Sequence, residues 1–287
     1  MDVSSSYTEK VKIINRYQVE NYSDVIIRLE SEKYSKVAKS GMYINLKSND
    51  NSIKKHFQIM RVSNSGNWLE ILCNSSTAEK IFGDSIKDNE ELVLMSPRGN
   101  GFSLNHEKSI PLLIGEEAGI APLVFLAEEI KKTTGQKPVI FFSSNNVFPF
   151  KYSPSRNIIK DFIPEVTASI DFLELMGFVS RLASKKYLPG CYNGYVYELA
   201  EEWLKSLALK KTKEIYIYAC GKKVMLKNIS LIAEKYNIDC QICILDHLGC
   251  NYDDCICLID TKSKDKMIRK KICRDGPVFE SKEVYYD

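Results

Sequence analysis

Ile110-Pro111-Leu112-Leu113-Ile114-Gly115-Glu116-Glu117-Ala118-Gly119-Ile120-Ala121-Pro122 divides the chain into two kinds of sequence. It opens with an apolar run too short for a helix and suited to a strand buried on both faces. A turn containing glycine and glutamate follows. Pro122 then stands at the start of Leu123 to Lys132, a helix that ends in lysines, which suits Pro at the first helical position and cations at the last. Strand, turn and helix in that order predict the opening unit of a parallel sheet.

Downstream the alternation repeats. Val139-Ile140-Phe141-Phe142 reads as a second buried strand and Val196 to Leu204 as an amphipathic helix. Ile215 to Gly221 reads as a strand ending in a turn, and Val224 to Tyr236 as a further helix. Segment 144–190 has little periodicity and reads as irregular connections with a short strand near Ile170-Asp171-Phe172. Upstream the pattern is strands only, at Val11–Val19, Val25–Glu30, Tyr43–Lys47, Phe57–Val62, Trp68–Cys73 and Leu92–Met95, with polar turns between them. Short strands at this spacing predict a small antiparallel barrel or sandwich. The expected class is therefore β plus α/β. An antiparallel β-barrel over residues 1–106 precedes a doubly wound parallel-sheet domain over 107–238 and a C-terminal cysteine lobe over 239–287.

Bulk properties narrow the function. A net charge of +3, with no Lys/Arg stripe interleaved with aromatics, argues against nucleic acid as a partner. The start of the chain lacks the basic and apolar regions of a signal peptide. No apolar run reaches the roughly 18 residues of a membrane helix. The odd number of cysteines, 9, without an export signal, favours reduced thiols and a cytoplasmic location. The three histidines, His56, His106 and His247, have no metal-ligand spacing. There is no Gly-x-Ser-x-Gly elbow and no Gly-Lys-Ser phosphate loop, so nothing supports hydrolysis or phosphoryl transfer. Trp68 and Trp203 read as packing residues.

The cysteines are unevenly placed. Six lie between Cys220 and Cys257, and Cys273 follows. In a chain of this kind such crowding points to a metal or redox centre. Cys250-x4-Cys255, with Cys257 close behind and Cys273 further on, approximates the plant-type [2Fe-2S] spacing, in which four thiolates hold the iron. Cys240-x2-Cys243 offers zinc an alternative pair. Free thiols are the third possibility.

Ser96-Pro97-Arg98-Gly99-Asn100-Gly101-Phe102, the Gly115-x3-Gly119-Ile120-Ala121-Pro122 loop, Tyr218-Ala219-Cys220-Gly221 with Met225, Cys240, and Cys273-Arg274-Asp275-Gly276-Pro277-Val278-Phe279 follow one another along nearly the whole chain. In this order they resemble the ferredoxin–NADP reductase superfamily, and more narrowly the electron-transfer subunit of NAD-linked dihydroorotate dehydrogenase. The resemblance implies an oxidoreductase of electron transport and pyrimidine biosynthesis. It implies FAD on the barrel, NAD(H) on the parallel sheet and a [2Fe-2S] cluster in the lobe. Electrons would pass between NADH and a partner oxidoreductase subunit of the dihydroorotate dehydrogenase type, within a hetero-oligomer that has no membrane span. The cofactor-binding residues it implies are Thr77, Gly99, Asn100, Gly101, Phe102, Gly115, Gly119, Cys220 and Gly221. The metal ligands it implies are Cys250, Cys255, Cys257 and Cys273.

Each site also departs from the family pattern. Where the family has Arg-Pro-x-Ser for the flavin, this chain reads His56-Phe57-Gln58-Ile59, and the next glycine-rich turn is shortened to Asn74-Ser75-Ser76-Thr77. Arg61 lies near enough to be a substitute charge, or is a plain strand-edge residue. The glycines of the nucleotide loop become Gly115-Glu116-Glu117. These carboxylates would repel a phosphate by roughly 1–4 kcal/mol each, and would instead stabilise the dipole of the following helix. In the cluster motif Leu258 takes the fourth position, Cys257 stands one residue early, and the loop glycines are Asn251 and Asp253. Two functions follow: a redox subunit carrying these cofactors, or a diverged homologue without some or all of them that serves as an interaction or regulatory protein. Function lives in sites and not in folds.

Overall fold

A computed structural model describes residues 8–18, 24–47, 54–74, 77–78, 91–104, 110–145, 147–159, 162–207, 212–245, 257–263 and 266–286. Six strands close an antiparallel barrel: β1 (Thr8–Gln18), β2 (Asp24–Glu30), β3 (Tyr43–Lys47), β4 (Lys54–Val62), β5 (Trp68–Asn74) and β6 (Glu91–Arg98). Alternation decides which side chains enter it. Val25, Ile27 and Leu29 of β2, Phe57 and Ile59 of β4, and Leu92 and Leu94 of β6 share one interior cluster. A barrel was expected, and a closed barrel is found.

The second unit contains β7 (Ile110–Glu116), α1 (Ile120–Thr134), β8 (Val139–Ser143), β9 (Tyr152–Pro154), β10 (Ala168–Ile170), α2 (Asp171–Leu175), β11 (Val179–Ser184), β12 (Tyr192–Asn193), α3 (Val196–Ser206), β13 (Ile215–Gly221), α4 (Lys223–Tyr236) and β14 (Asp239–Ile244). Its sheet runs β12-β11-β8-β7-β13-β14-β17, all parallel except β17 (Val278–Glu280), which lies antiparallel to β14. β7 is buried on both faces, as its unbroken apolar run requires. Leu113 joins α1 on one face, while Leu112 and Ile114 join α3 and α4 on the other. α1 stops at Gly135, which takes φ 73° and donates its N–H to Lys131 O.

Three elements differ from expectation. β11, a strand of the main sheet, lies inside the stretch that reads as irregular. Its Ser180, Arg181 and Ser184 are buried, and these polar residues hide the apolar signal that marks its neighbours. Arg181 is tolerated there because its guanidinium donates to the carbonyls of Ser180 and Asn157. β14 and β17 also belong to the sheet, although both come from the stretch expected in the cysteine lobe. Asp239-Cys240-Gln241-Ile242-Cys243-Ile244 attracts attention as a thiol cluster, yet five of its six residues are buried as a strand. Among its other described residues are the hairpin β15 (Leu258–Ser263) and β16 (Lys266–Lys271) and the short helix α5 (Ile272–Asp275).

α1 ties the two main units together. Its Phe125 packs into the barrel cluster, while its neighbours Leu123, Val124 and Leu126 pack into the sheet. Burying one such ring is worth roughly 1.5–3 kcal/mol. A line of alternating charge runs beside it. Arg28 donates to Glu70 at 2.7 and 2.9 Å, and Glu70 lies 3.6 Å from Arg61. Arg61 in turn donates to Glu128 of α1 at 2.8 and 3.1 Å.

The third connection joins the barrel to the C-terminal segment. The Asn100 backbone N–H donates to Gly276 O at 2.7 Å. Its side-chain amide donates to Val278 O at 2.7 Å and accepts from Val278 N–H at 3.0 Å. Gly99 turns here with φ 79°, and a Cβ on it would come within 2.6 Å of Gly276 O. Only glycine permits that approach. Replacing Asn100 with Ala strips both side-chain bonds and leaves two buried peptide groups unpaired. The expected cost is about 1–3 kcal/mol, measured as a lower urea midpoint for unfolding.

Candidate functional site

The strand order reverses at β7, with β8 and β11 on one side and β13 and β14 on the other. The carboxyl ends of parallel strands at such a point form a ligand crevice. Here Gly115-Glu116, at the end of β7, meets Cys220-Gly221, at the end of β13. Gly119 rests on that neighbour so closely that a Cβ would sit 2.1 Å from Cys220 O. The two halves of the expected nucleotide loop, Gly115 and Gly119 with Cys220 and Gly221, are therefore brought together.

The glutamates of the loop take positions the sequence does not foretell. Glu117 adopts φ 53° in a 3-10 turn, and its carboxylate accepts the backbone N–H of Asn145 at 2.6 Å. It is thus turned toward the loop after β8. The N-cap of α1 is Gly119, which has no side chain to cap it, and Glu117 stands in the turn that leads into the helix.

Phe102 and the residue after it lie over the crevice. Phe102 stacks edge-on against Tyr218 with ring centres 5.7 Å apart. Ser103 accepts from the Tyr218 hydroxyl at 3.2 Å and donates its N–H to Gln241 at 2.9 Å. Gln241 donates onward to Glu280. Burial, with Glu280 close by, holds the Tyr216 and Tyr218 phenols well above their usual range, so both stay protonated donors. A Cβ on Gly101 would meet Ser40 O at 2.9 Å. Thr77, further round the barrel, donates its backbone N–H to Asn74 Oδ1.

The outer face of β4 turns toward α1, with Met60 packed into the cluster that contains that helix. Ile59 points into the barrel core, so the position of the family's serine contributes no polar group. Gln58 points outward between Phe57 and Ile59 and is only 8% exposed, yet neither its Nε2 nor its Oε1 has a hydrogen-bond partner. Opposite it on β3 stands Tyr43, whose hydroxyl donates to Cys273 O at 2.9 Å. Arg61 offers no free charge, because Glu128 and Glu70 hold it. Trp68 carries the Arg28 guanidinium 4.1 Å above its ring, and Trp203 stacks edge-on with Phe141.

In the lobe, Cys257 is fully buried and Cys273 half-buried. The Ile272 N–H donates to Cys257 O at 2.8 Å, which brings the two cysteine-bearing segments side by side. Cys250 and Cys255 lie outside the described residues. Cysteine sulfurs on adjacent backbone suit an iron–sulfur cluster, and an unpaired buried amide suits a polar heterocycle. Both sites accordingly fit the groups that the motifs imply. Zinc on Cys240-x2-Cys243 does not fit. An i, i+3 pair on a strand points to opposite faces, with Cys240 in one core cluster and Cys243 in the other. Burial also pushes the Cys240 thiol up to about 12. Cys243 instead stands opposite Cys220 in the strand register, and burial holds the Cys220 thiol well above its usual range.

Neither Gln58 as a polar contact nor a cluster at the far edge of the crevice could be read from local patterning. There Tyr195 and Tyr197 stack at 5.0 Å, and Lys185 donates to the Tyr195 hydroxyl at 2.8 Å. Flat rings beside a cation at the carboxyl edge of the sheet offer a platform for a base and a phosphate. Only their assembly in the fold shows it, since Lys185 and Tyr195 end different elements.

Residues 255–285 match the family model for the iron–sulfur cluster binding domain of dihydroorotate dehydrogenase B. The chain is 29% identical over 202 residues to the dihydroorotate dehydrogenase B (NAD(+)) electron transfer subunit of Caldanaerobacter subterraneus subsp. tengcongensis, a match covering 70% of this chain and 69% of that one. It is 22% identical to the subunit of the same description from Desulforamulus reducens, over 91% of this chain and 92% of that one. Among solved structures, a chain of the NADH-dependent reduced ferredoxin–NADP oxidoreductase superposes with a TM-score of 0.70 at 16% identity, covering 96% of this chain and 89% of that one. Phthalate dioxygenase reductase superposes with a TM-score of 0.57 at 12% identity, over 93% and 77%. The resemblance drawn from the motifs is borne out, and the solved structures share the barrel-and-sheet fold.

Replacing Glu116 and Glu117 together with glycine removes two carboxylates from the crevice and relieves the positive φ at residue 117. NADH is expected to bind the double variant more tightly, by severalfold or more, in a fluorescence titration. Equal binding would show that the loop is not the obstacle.

Proposed function

We propose that this chain is the electron-transfer subunit of a dihydroorotate-dehydrogenase-B-type oxidoreductase, moving electrons between NAD(H) and a partner catalytic subunit in the cytoplasm. The observation that carries the proposal is the clamp of Asn100 on Gly276 and Val278. It holds the barrel, the crevice of the parallel sheet and the cysteine lobe at one place. When bound, FAD and a [2Fe-2S] cluster supply the exchange between a two-electron donor and single electrons.

The residues of the chain supply position and surroundings. Gly99 to Phe102 fix the rim of the barrel over β13, with Phe102 on Tyr218 excluding water from that side. Gly115, Gly119, Cys220 and Gly221 bring the turn after β7 onto the end of β13, the backbone on which a nucleotide would rest. Cys250, Cys255, Cys257 and Cys273 are the proposed iron ligands. Cys257 brings an apolar setting, and Cys273 brings the backbone carbonyl that Tyr43 binds. That hydrogen bond makes a direct connection from the face of the barrel to the lobe. The buried, unpartnered amide of Gln58 favours this function over that of a cofactor-free interaction protein, which would gain nothing from keeping it. The relatives are described as subunits of a larger enzyme, which supports a hetero-oligomer here.

The test is an absorption spectrum with iron analysis on the full chain purified without oxygen. Oxidised-flavin bands with cluster shoulders, and iron that is lost in Cys257→Ser and Cys273→Ser, are expected. A colourless, iron-free protein would overturn the proposal.

A further inference from the structure

Gln58 occupies a position where a glutamine is costly without a ligand. Its neighbours along β4, Phe57 and Ile59, face the barrel core, so its side chain faces outward. On that outward side Met60 packs into the cluster that contains α1, and Tyr43, directly opposite on β3, reaches the lobe through Cys273. The amide is thus enclosed between the barrel, the sheet and the lobe, more than nine-tenths buried, with both its polar atoms unpaired. A buried amide with neither bond made destabilises the protein that holds it. A leucine of similar size would avoid that penalty. The arrangement makes sense when a bound group completes it.

The chemistry of the amide identifies that group. A carboxamide presents N–H donors and a carbonyl acceptor side by side in one plane. Its complement is a flat ring edge with a carbonyl beside an N–H, which is the pyrimidine edge of an isoalloxazine. We propose that Gln58 is the side chain that holds the flavin ring by this edge. Its N–H donates to a ring carbonyl and its Oε1 accepts the ring N–H. Gln58 thereby replaces the polar contacts that the departure at His56 to Ile59 removes. The donated N–H stabilises the ring most when it is electron-rich, so Gln58 also raises the reduction potential of the flavin. This inference rests on the proposed flavin function and adds the residue that tunes it.

The experiment compares the full chain with Gln58→Leu in three measurements. These are FAD titration by quenching of flavin fluorescence, the flavin midpoint potential by spectroelectrochemistry, and the melting temperature of the flavin-free protein. The leucine variant is expected to bind FAD roughly tenfold more weakly and to show a lower potential. Its flavin-free melting temperature is expected to be unchanged or raised, a result that a merely structural glutamine would not produce. If the unaltered chain binds FAD and the variant matches it in affinity and potential, the assignment is overturned while the flavin function stands. If the unaltered chain does not bind FAD, the flavin function fails and the assignment with it. Should the leucine variant not fold, Gln58→Glu keeps the test open. A carboxylate there is expected to lower the potential, and an unchanged potential overturns the assignment.

Discussion

The structure depends on a contact between two turns, in which Asn100 reads the backbone of Gly276 and Val278. Three hydrogen bonds of 2.7, 2.7 and 3.0 Å join the end of the barrel to a strand that is also the last member of the parallel sheet. The approach works because Gly99 has no Cβ. The asparagine serves better than an ordinary polar residue because its amide donates and accepts at once and so satisfies both groups of one peptide segment. The contact acts together with α1, with Phe102 on Tyr218 and with the Tyr43 bond to Cys273, which join the same three parts at other points.

The second joint works by charge. Glu70 is 2% exposed and lies between Arg28 and Arg61, and Arg61 spans to Glu128 on α1. Buried ion pairs of this kind add little net stability compared with apolar residues of the same size, but removing one member typically costs 3–5 kcal/mol. Their effect is to favour one orientation of barrel and helix over its alternatives. Phe125, entering the barrel cluster from the same helix, supplies the apolar gain that the charges do not.

Much of this was legible in the residues. Barrel strands with alternating patterns, the buried run at β7 and the helices with lysines near their ends all fall where local patterning puts them. The misses share a cause. β11 carries Ser180, Arg181 and Ser184 into the interior, where Arg181 reaches the carbonyl of Asn157, distant in sequence. β14 carries cysteines, which read as ligands and behave as small apolar residues. The site divides in the same way. The turn at Gly99 and the close approach at Gly119 follow from local chemistry. The fate of Glu117, the capture of Arg61 and the isolation of Gln58 depend on partners that only the assembled fold brings near.

β17 and the Asn100 contact arise from one short segment, residues 276–280. During synthesis the barrel, α1 and all six parallel strands of the sheet emerge before it. Until that segment emerges, the outer edge of β14 is an open row of peptide groups and the barrel turn has nothing to grip. An unpaired edge of this kind is a template for wrong association. Completion of the edge, docking of the barrel turn and placement of Cys273 therefore coincide in a single late event. The order of synthesis itself delays assembly of the site until every wall of it exists.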